Sequence, residues 1–165
     1  MIFRSIFYCL VIALLSTACY TLNGISIPEN INSYYVDNFD LKARNAPPLI
    51  NQIFTESLKN KINQQTKLVA NDTDPDVEFK GDISRFDLEQ LAPTRTEESS
   101  LNRLKVSIAV EYVNNRNEDL SWKQTFSQNF DFSPDQDLLS VQDQAIEDIY
   151  EQIIEQIFNK TFADW

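Results

Sequence analysis

The chain has 165 residues, two Gly, two Cys, no His and a formal net charge of −11. Without His there is no Ser-His-Asp or Cys-His site, no H-E-x-x-H zinc helix and no His-bearing zinc finger. Two glycines, Gly24 and Gly81, cannot build a dinucleotide turn or a phosphate loop, and the acid excess opposes nucleic acid, whose binding needs Lys and Arg. About 42% of the residues are apolar, enough for the core of one domain of ordinary size, and no cofactor is expected.

The first eighteen residues have the layout of a secretory signal peptide. Arg4 supplies a positive n-region, residues 6–15 are uncharged and almost wholly apolar, and Ser16, Thr17 and Ala18 are small. The apolar run is shorter than the roughly 20 residues of a membrane-spanning helix. Cys19 follows at once, and the arrangement resembles a bacterial lipobox, in which the Cys is acylated and becomes the first mature residue. Ser16 stands where that pattern has Leu, and ordinary cleavage after Ala18 is the alternative. Cys9 lies in the part to be removed, so Cys19 has no mature partner for a disulfide. An acylated Cys19 would tether the protein to a membrane surface.

Residues 19–32 read as this lipidated Cys and a tether, and residues 33–165 as a single α+β domain. Aromatic-rich residues 34–39 read as a first strand. Asn45, Pro47 and Pro48 then announce a helix, with Leu49, Ile50, Ile53, Phe54, Leu58 and Ile62 as its apolar stripe and an end near Gln65. Residues 71–76 form a turn by composition. Acids at 72, 74, 76 and 78 invite a calcium reading, but an EF-hand loop would need Gly at Val77 and Glu at Ile83, so a solvated turn is expected.

Three strands follow. Val77, Phe79 and Ile83 share one parity while Phe86 and Leu88 take the other, which implies a bulge near Ser84 and Arg85. Residues 92–100 are a polar connector. From Arg103, Leu104, Val106, Ile108, Val110 and Tyr112 alternate regularly, residues 114–119 make a hairpin turn, and Trp122, Phe126, Phe130 and Phe132 share a face opposite Lys123, Thr125, Ser127, Asn129 and Asp131. The closing helix shows two apolar rows: Val141, Ala145, Ile149, Ile153, Ile157 beside Ile146, Tyr150, Ile154, Phe158. Ser140 and Asp143 have the spacing of a capping box. The order β-α-β-β-β-α predicts two helices on one face of a four-stranded, mostly antiparallel sheet. The other face, with Lys105, Ser107, Ala109, Glu111, Lys123, Thr125 and Ser127 among its residues, is left to water or a partner.

An ordered set of stretches then resembles one family: Cys19-Tyr20 leading to Asn23-Gly24-Ile25-Ser26-Ile27, residues 76–83, residues 102–106, Trp122 to Phe126, and residues 157–165. Together they resemble LptE-family lipoproteins of the outer-membrane lipopolysaccharide translocon, in the short form of Bacteroidetes-type bacteria. The resemblance implies a non-enzymatic lipoprotein, anchored to the periplasmic side of the outer membrane. It would plug and help assemble an LptD-like β-barrel and bind lipopolysaccharide. Family members touch lipid phosphates with basic residues near one end of the sheet, and Arg95, Arg103 and Lys105 are the nearest candidates. A solvated strand edge is the other reading of these three. A pilot or chaperone-like lipoprotein for another envelope assembly, such as a secretin, would share the same anchor and fold. Envelope hydrolysis has little to draw on, because Glu97-Glu98 and Glu118-Asp119 sit in polar turns where nothing would raise a catalytic pKa.

Overall fold

The computed structural model describes residues 27–92 and 100–163. Its strands are β1 (Ser33–Val36), β2 (Asp40–Leu41), β3 (Val69–Ala70), β4 (Val77–Leu91), β5 (Leu101–Asn114) and β6 (Trp122–Phe132). Its helices are α1 (Ile50–Gln65) and α2 (Leu138–Phe162), with a single 3-10 turn at Glu118–Leu120. The sheet order is β3-β1-β4-β5-β6, and β2 pairs with β4 beyond the end of β1. The long pairs β4–β5 and β5–β6 are antiparallel, whereas β1 runs parallel to both β3 and β4. The fold is α+β, with both helices packed against one face of a mixed sheet.

The parity switch in β4 has the expected cause. Ile83 pairs with Ile108 and Arg85 with Ser107, so Ser84 is the extra residue of a bulge. Val77, Phe79, Ile83 and Phe86 thereby all reach the core. Gly81 is needed on that face, because a Cβ there would meet the Ala109 carbonyl oxygen at 2.0 Å and the Phe39 ring at 2.8 Å.

Both rows of α2 are buried apart from Val141, which packs against the core half-buried. The cap differs from expectation. Asp137 is the N-cap and makes no side-chain cap bond, while Ser140 lies inside the helix and donates its hydroxyl back to the Asp137 carbonyl at 2.6 Å. No capping box forms. The α1 stripe is narrower than expected: Ile50, Phe54, Leu58 and Ile62 are buried, but Leu49 is 58% and Ile53 52% exposed. Leu49 is the N-cap residue, held at φ 71° after the two prolines, which turns its side chain away from the stripe. Ile53 faces the groove between the helices, with Ile146, Tyr150 and Ile154 opposite.

The acidic segment before β4 is only partly solvated. Asp76 is 5% exposed. Its carboxylate accepts from the Asn32 and Ser33 amides at 2.7 and 2.9 Å, from the Ser33 hydroxyl and from the Arg116 guanidinium. Its carbonyl accepts from the Asn115 amide. One side chain thus ties the start of β1 to the β5–β6 turn. The spacing that suggested a metal loop serves instead to place an anion against backbone donors. These bonds, the Asn32 amide foremost, then Arg116 and Ser33, outweigh the opposing effect of burial and hold the carboxyl at about 2 rather than 3.8.

A pKa lowered by folding stabilises the native state above the unfolded value, and that contribution disappears as pH falls through the folded value. Asp76→Asn is therefore expected to cost about 1.5–3 kcal/mol at neutral pH, the range for hydrogen bonds to a charged group. It should also flatten the acid limb of stability between about pH 4 and pH 2. Urea melts of both proteins at stepped pH check this; parallel acid limbs would remove Asp76 from the account. Ile153 lies at 0% exposure under the middle of α2. Ile153→Asp is expected to unfold the domain, since an unpaired buried carboxylate costs several kcal/mol against a total of about 5–15 kcal/mol. Loss of the cooperative thermal transition is the readout, and an unchanged melting temperature would contradict the packing of α2.

Candidate functional site

With both helices on one face, the other face of β4, β5 and β6 carries an ordered set of polar rows. Registration builds them. Glu89, Arg103 and Asp131 form one row; Asp87, Lys105 and Asn129 the next; then Arg85, Ser107 and Ser127; then Asp82, Ala109 and Thr125; then Lys80, Glu111 and Lys123. On β5 and β6 charges occupy the two ends and small residues the middle, whereas β4 carries a charge in every row. These rows hold Lys80, Arg85, Arg103, Lys105 and Lys123 among Asp82, Asp87, Glu89, Glu111 and Asp131, while Asp143, Glu147 and Glu151 of α2 line the groove beside α1. Cations and acids balance in these rows, so in a chain of net charge −11 this part of the sheet face repels an anionic ligand less than the chain average.

Arg103 is half-buried and donates Nε and Nη2 to the two carboxylate oxygens of Asp131, both at 2.7 Å. The geometry is the two-pronged match between guanidinium and carboxylate. The Arg103 bond holds the Asp131 carboxyl below the usual carboxylate range, against a smaller opposing effect of burial. Lys105, one row further along β5, makes no hydrogen bond or ion pair among the described residues, although Asp87 stands opposite it on β4. Asp87 is engaged by Arg85 at 3.5 Å. At the far end Glu111 accepts from Lys123 at 3.2 Å and faces Lys80 at 3.3 Å. The Lys123 bond, then the Lys80 bond, keeps the Glu111 carboxyl low.

Ser107 departs from the sequence reading of this face. It is 6% exposed rather than open, because its hydroxyl accepts from Ser127 at 2.8 Å and the bulged Ser84 donates to its carbonyl at 3.1 Å.

The structure brings Arg103 and Lys105 together on one face of β5. Arg95 and the proposed lipid-attachment residue Cys19 lie outside the described residues, as does Glu97-Glu98. Glu118 and Asp119 are exposed in the 3-10 turn, with no buried neighbour to tune them. The sequence reading placed Asp131 on the right face of β6 but missed its pairing with Arg103. Only strand register, set by the hairpin, joins residues 28 apart.

Known proteins bear on this arrangement in two ways. The LptE family model, described as lipopolysaccharide-assembly, matches residues 31–161. Among solved structures, hypothetical protein CT253 from Chlamydia trachomatis matches with a TM-score of 0.54 at 8% identity, over 81% of this chain and 99% of that one. The PelC dodecamer from Paraburkholderia phytofirmans matches at 0.55 and 9% identity, over 84% and 95%. The solution structure of uncharacterized lipoprotein B from Nitrosomonas europaea matches at 0.51 and 13% identity, over 81% and 83%. At such identities these neighbours share the fold alone. No curated protein matches the chain.

Proposed function

The chain belongs to the LptE family of lipopolysaccharide assembly, and from that premise we propose an outer-membrane lipoprotein that seats against an LptD-like β-barrel and contacts lipopolysaccharide through its open sheet face. It is not an enzyme. Acylation of Cys19 would supply the anchor on the periplasmic side, and the domain would serve as plug and assembly partner of the barrel. The Bacteroidetes-type short form is the version its ordered stretches resemble.

One observation carries the lipid half of this reading. Lys105 stands on an exposed face, unpaired among the described residues, beside an Arg103 already oriented by Asp131. A lipid phosphate at Lys105 gains a charge-assisted bond without first breaking an ion pair. Arg103 adds its positive charge beside that bond or exchanges its carboxylate for the phosphate. Arg95 precedes β5 by a few residues and is the third cation proposed for this end of the sheet. The barrel half rests on family membership together with a sheet face left uncovered by the fold.

Arg103→Glu with Lys105→Glu is expected to weaken binding of the purified, unlipidated protein to lipid A at least tenfold, because each well-formed charge-assisted contact is worth about 1.5–3 kcal/mol. Lys105→Glu alone should account for a measurable part of it without touching the Asp131 pair. Circular dichroism confirms that the variants fold; equal affinity in all three proteins would take these residues out of the site. Cys19→Ser is expected to leave a folded domain that moves to the soluble fraction in a host lacking the barrel partner. Retention in the membrane pellet after a high-salt wash would contradict anchoring through Cys19.

A further inference from the structure

The groove between α1 and α2 has a volume of about 980 Å³ that the core does not fill. Its floor is apolar: Ile146, Tyr150 and Ile154 of α2 reach it from one side and Ile53 of α1 from the other. Ile53 is 52% exposed, although its spacing on α1 is that of a core residue. Tyr150 is already satisfied, because its hydroxyl donates to the Ile50 carbonyl at 3.1 Å. The floor therefore offers apolar contact rather than hydrogen bonds.

The two rims are unlike. α2 sets Asp143, Glu147 and Glu151 along its rim at intervals of four residues, all of them exposed. None of the three has an ion-pair or hydrogen-bond partner among the described residues. The α1 rim carries Ser57, Lys61 and Gln64. Lys61 does not neutralise the acids opposite, because it is paired with Glu155 and lies over the Phe158 ring at 5.4 Å. The groove is thus apolar at the bottom and negative along one side only.

That pattern selects its occupant. An anionic lipid would meet three unpaired acids. A second copy of this chain brings a net charge of −11, and residues 20–26 carry no charge to set against the rim. An apolar strip flanked by cations answers both features at once. Between two helices, the shape that fits is a third helix laid along them. The lining of α2 runs from Gln142 to Ile154, about 18 Å at ~1.5 Å per residue, so roughly three turns of helix fill it. Acids four residues apart on one helix meet cations at the same spacing on another.

We propose that the groove between α1 and α2 docks a cationic amphipathic helix of a partner protein, its apolar stripe on Ile53 and Ile146 and its Lys or Arg flank on Asp143, Glu147 and Glu151. The site lies on the helix layer, so it can be filled while the open sheet face is in use. A negative rim on one side also fixes which way the helix lies, since reversing it would carry the cations to Ser57 and Gln64.

The test uses the full chain in phosphatidylcholine nanodiscs, with empty nanodiscs as background. The probe is a fluorescent synthetic peptide of about 14 residues, Leu along one face and Lys and Gln elsewhere. Polarisation is expected to show it binding at least about tenfold more tightly than a shuffled peptide of the same composition, which has the charge but no apolar face. Glu147→Gln with Glu151→Gln should raise the Kd about fivefold at an unchanged melting temperature, since both carboxylates are exposed and hold nothing in the fold. Ile53→Ser should act in the same direction, whereas Asp87→Asn with Glu89→Gln on the sheet face should leave the Kd unchanged. Binding no better than the empty nanodiscs or the shuffled peptide overturns the proposal. An equal loss from the sheet-face pair also overturns it, as does tighter binding when Glu replaces Lys in the peptide. Binding that appears only after Leu22 and Ile25 are replaced by Ser would assign the groove to the chain's own tether and overturn it too.

Discussion

Burial of α2 against β5 and β6 is the interaction on which the rest of the architecture depends. Two rows of large apolar side chains, from Ala145 to Phe162, must leave water together. A two-row stripe is too wide for a coiled-coil seam and needs a sheet beneath it. Once α2 lies on the meander, the parity of every strand is decided. Leu104, Val106, Ile108 and Val110 fall to 0% exposure on one side, and their neighbours form the polar rows on the other. Leu88 also has core parity, yet it is 50% exposed in a pocket that it lines with Phe86 and with Leu138 at the start of α2.

Much of this was legible because it is periodic. The bulge at Ser84 could be inferred from a change of parity, since a strand that keeps one face buried must absorb an extra residue when its apolar positions shift by one. The stripes of both helices could be read for the same reason. What escaped was set by tertiary pairing. Nothing local to Asp76 says that two amides 43 and 44 residues earlier will point at it. Ile53 has the spacing of a core residue and faces a groove only because α2 leaves room beside it. Ser140 has the spacing of a cap and lies inside the helix, because α2 begins at Leu138.

The open face follows the same division. Alternation on β5 and β6 put Arg103, Lys105 and Asp131 on one surface, but their partnership depends on register. The pairing matters more for orientation than for stability, because half-exposed ion pairs contribute about 0–1 kcal/mol. A guanidinium held by two bonds to one carboxylate keeps one orientation, which a side chain without them would lose entropy to match. Lys105 makes no such pair among the described residues, so the two cations are unlike in what they offer a phosphate: one is oriented by a partner, the other is not.

The parallel pairing of β1 with β4 has a consequence in time. Helix α1 and the acidic turn separate the two strands, so the first strand of the domain to be made finds its neighbours late. The antiparallel meander β4–β5–β6 needs only short connections and its own helix, whereas β1 must wait for Val77 to Phe79, and Asp76 gains Arg116 only when the β5–β6 turn exists. Non-local contacts of this kind are the slow ones. The chain nearest the proposed anchor is therefore the last to be sewn in.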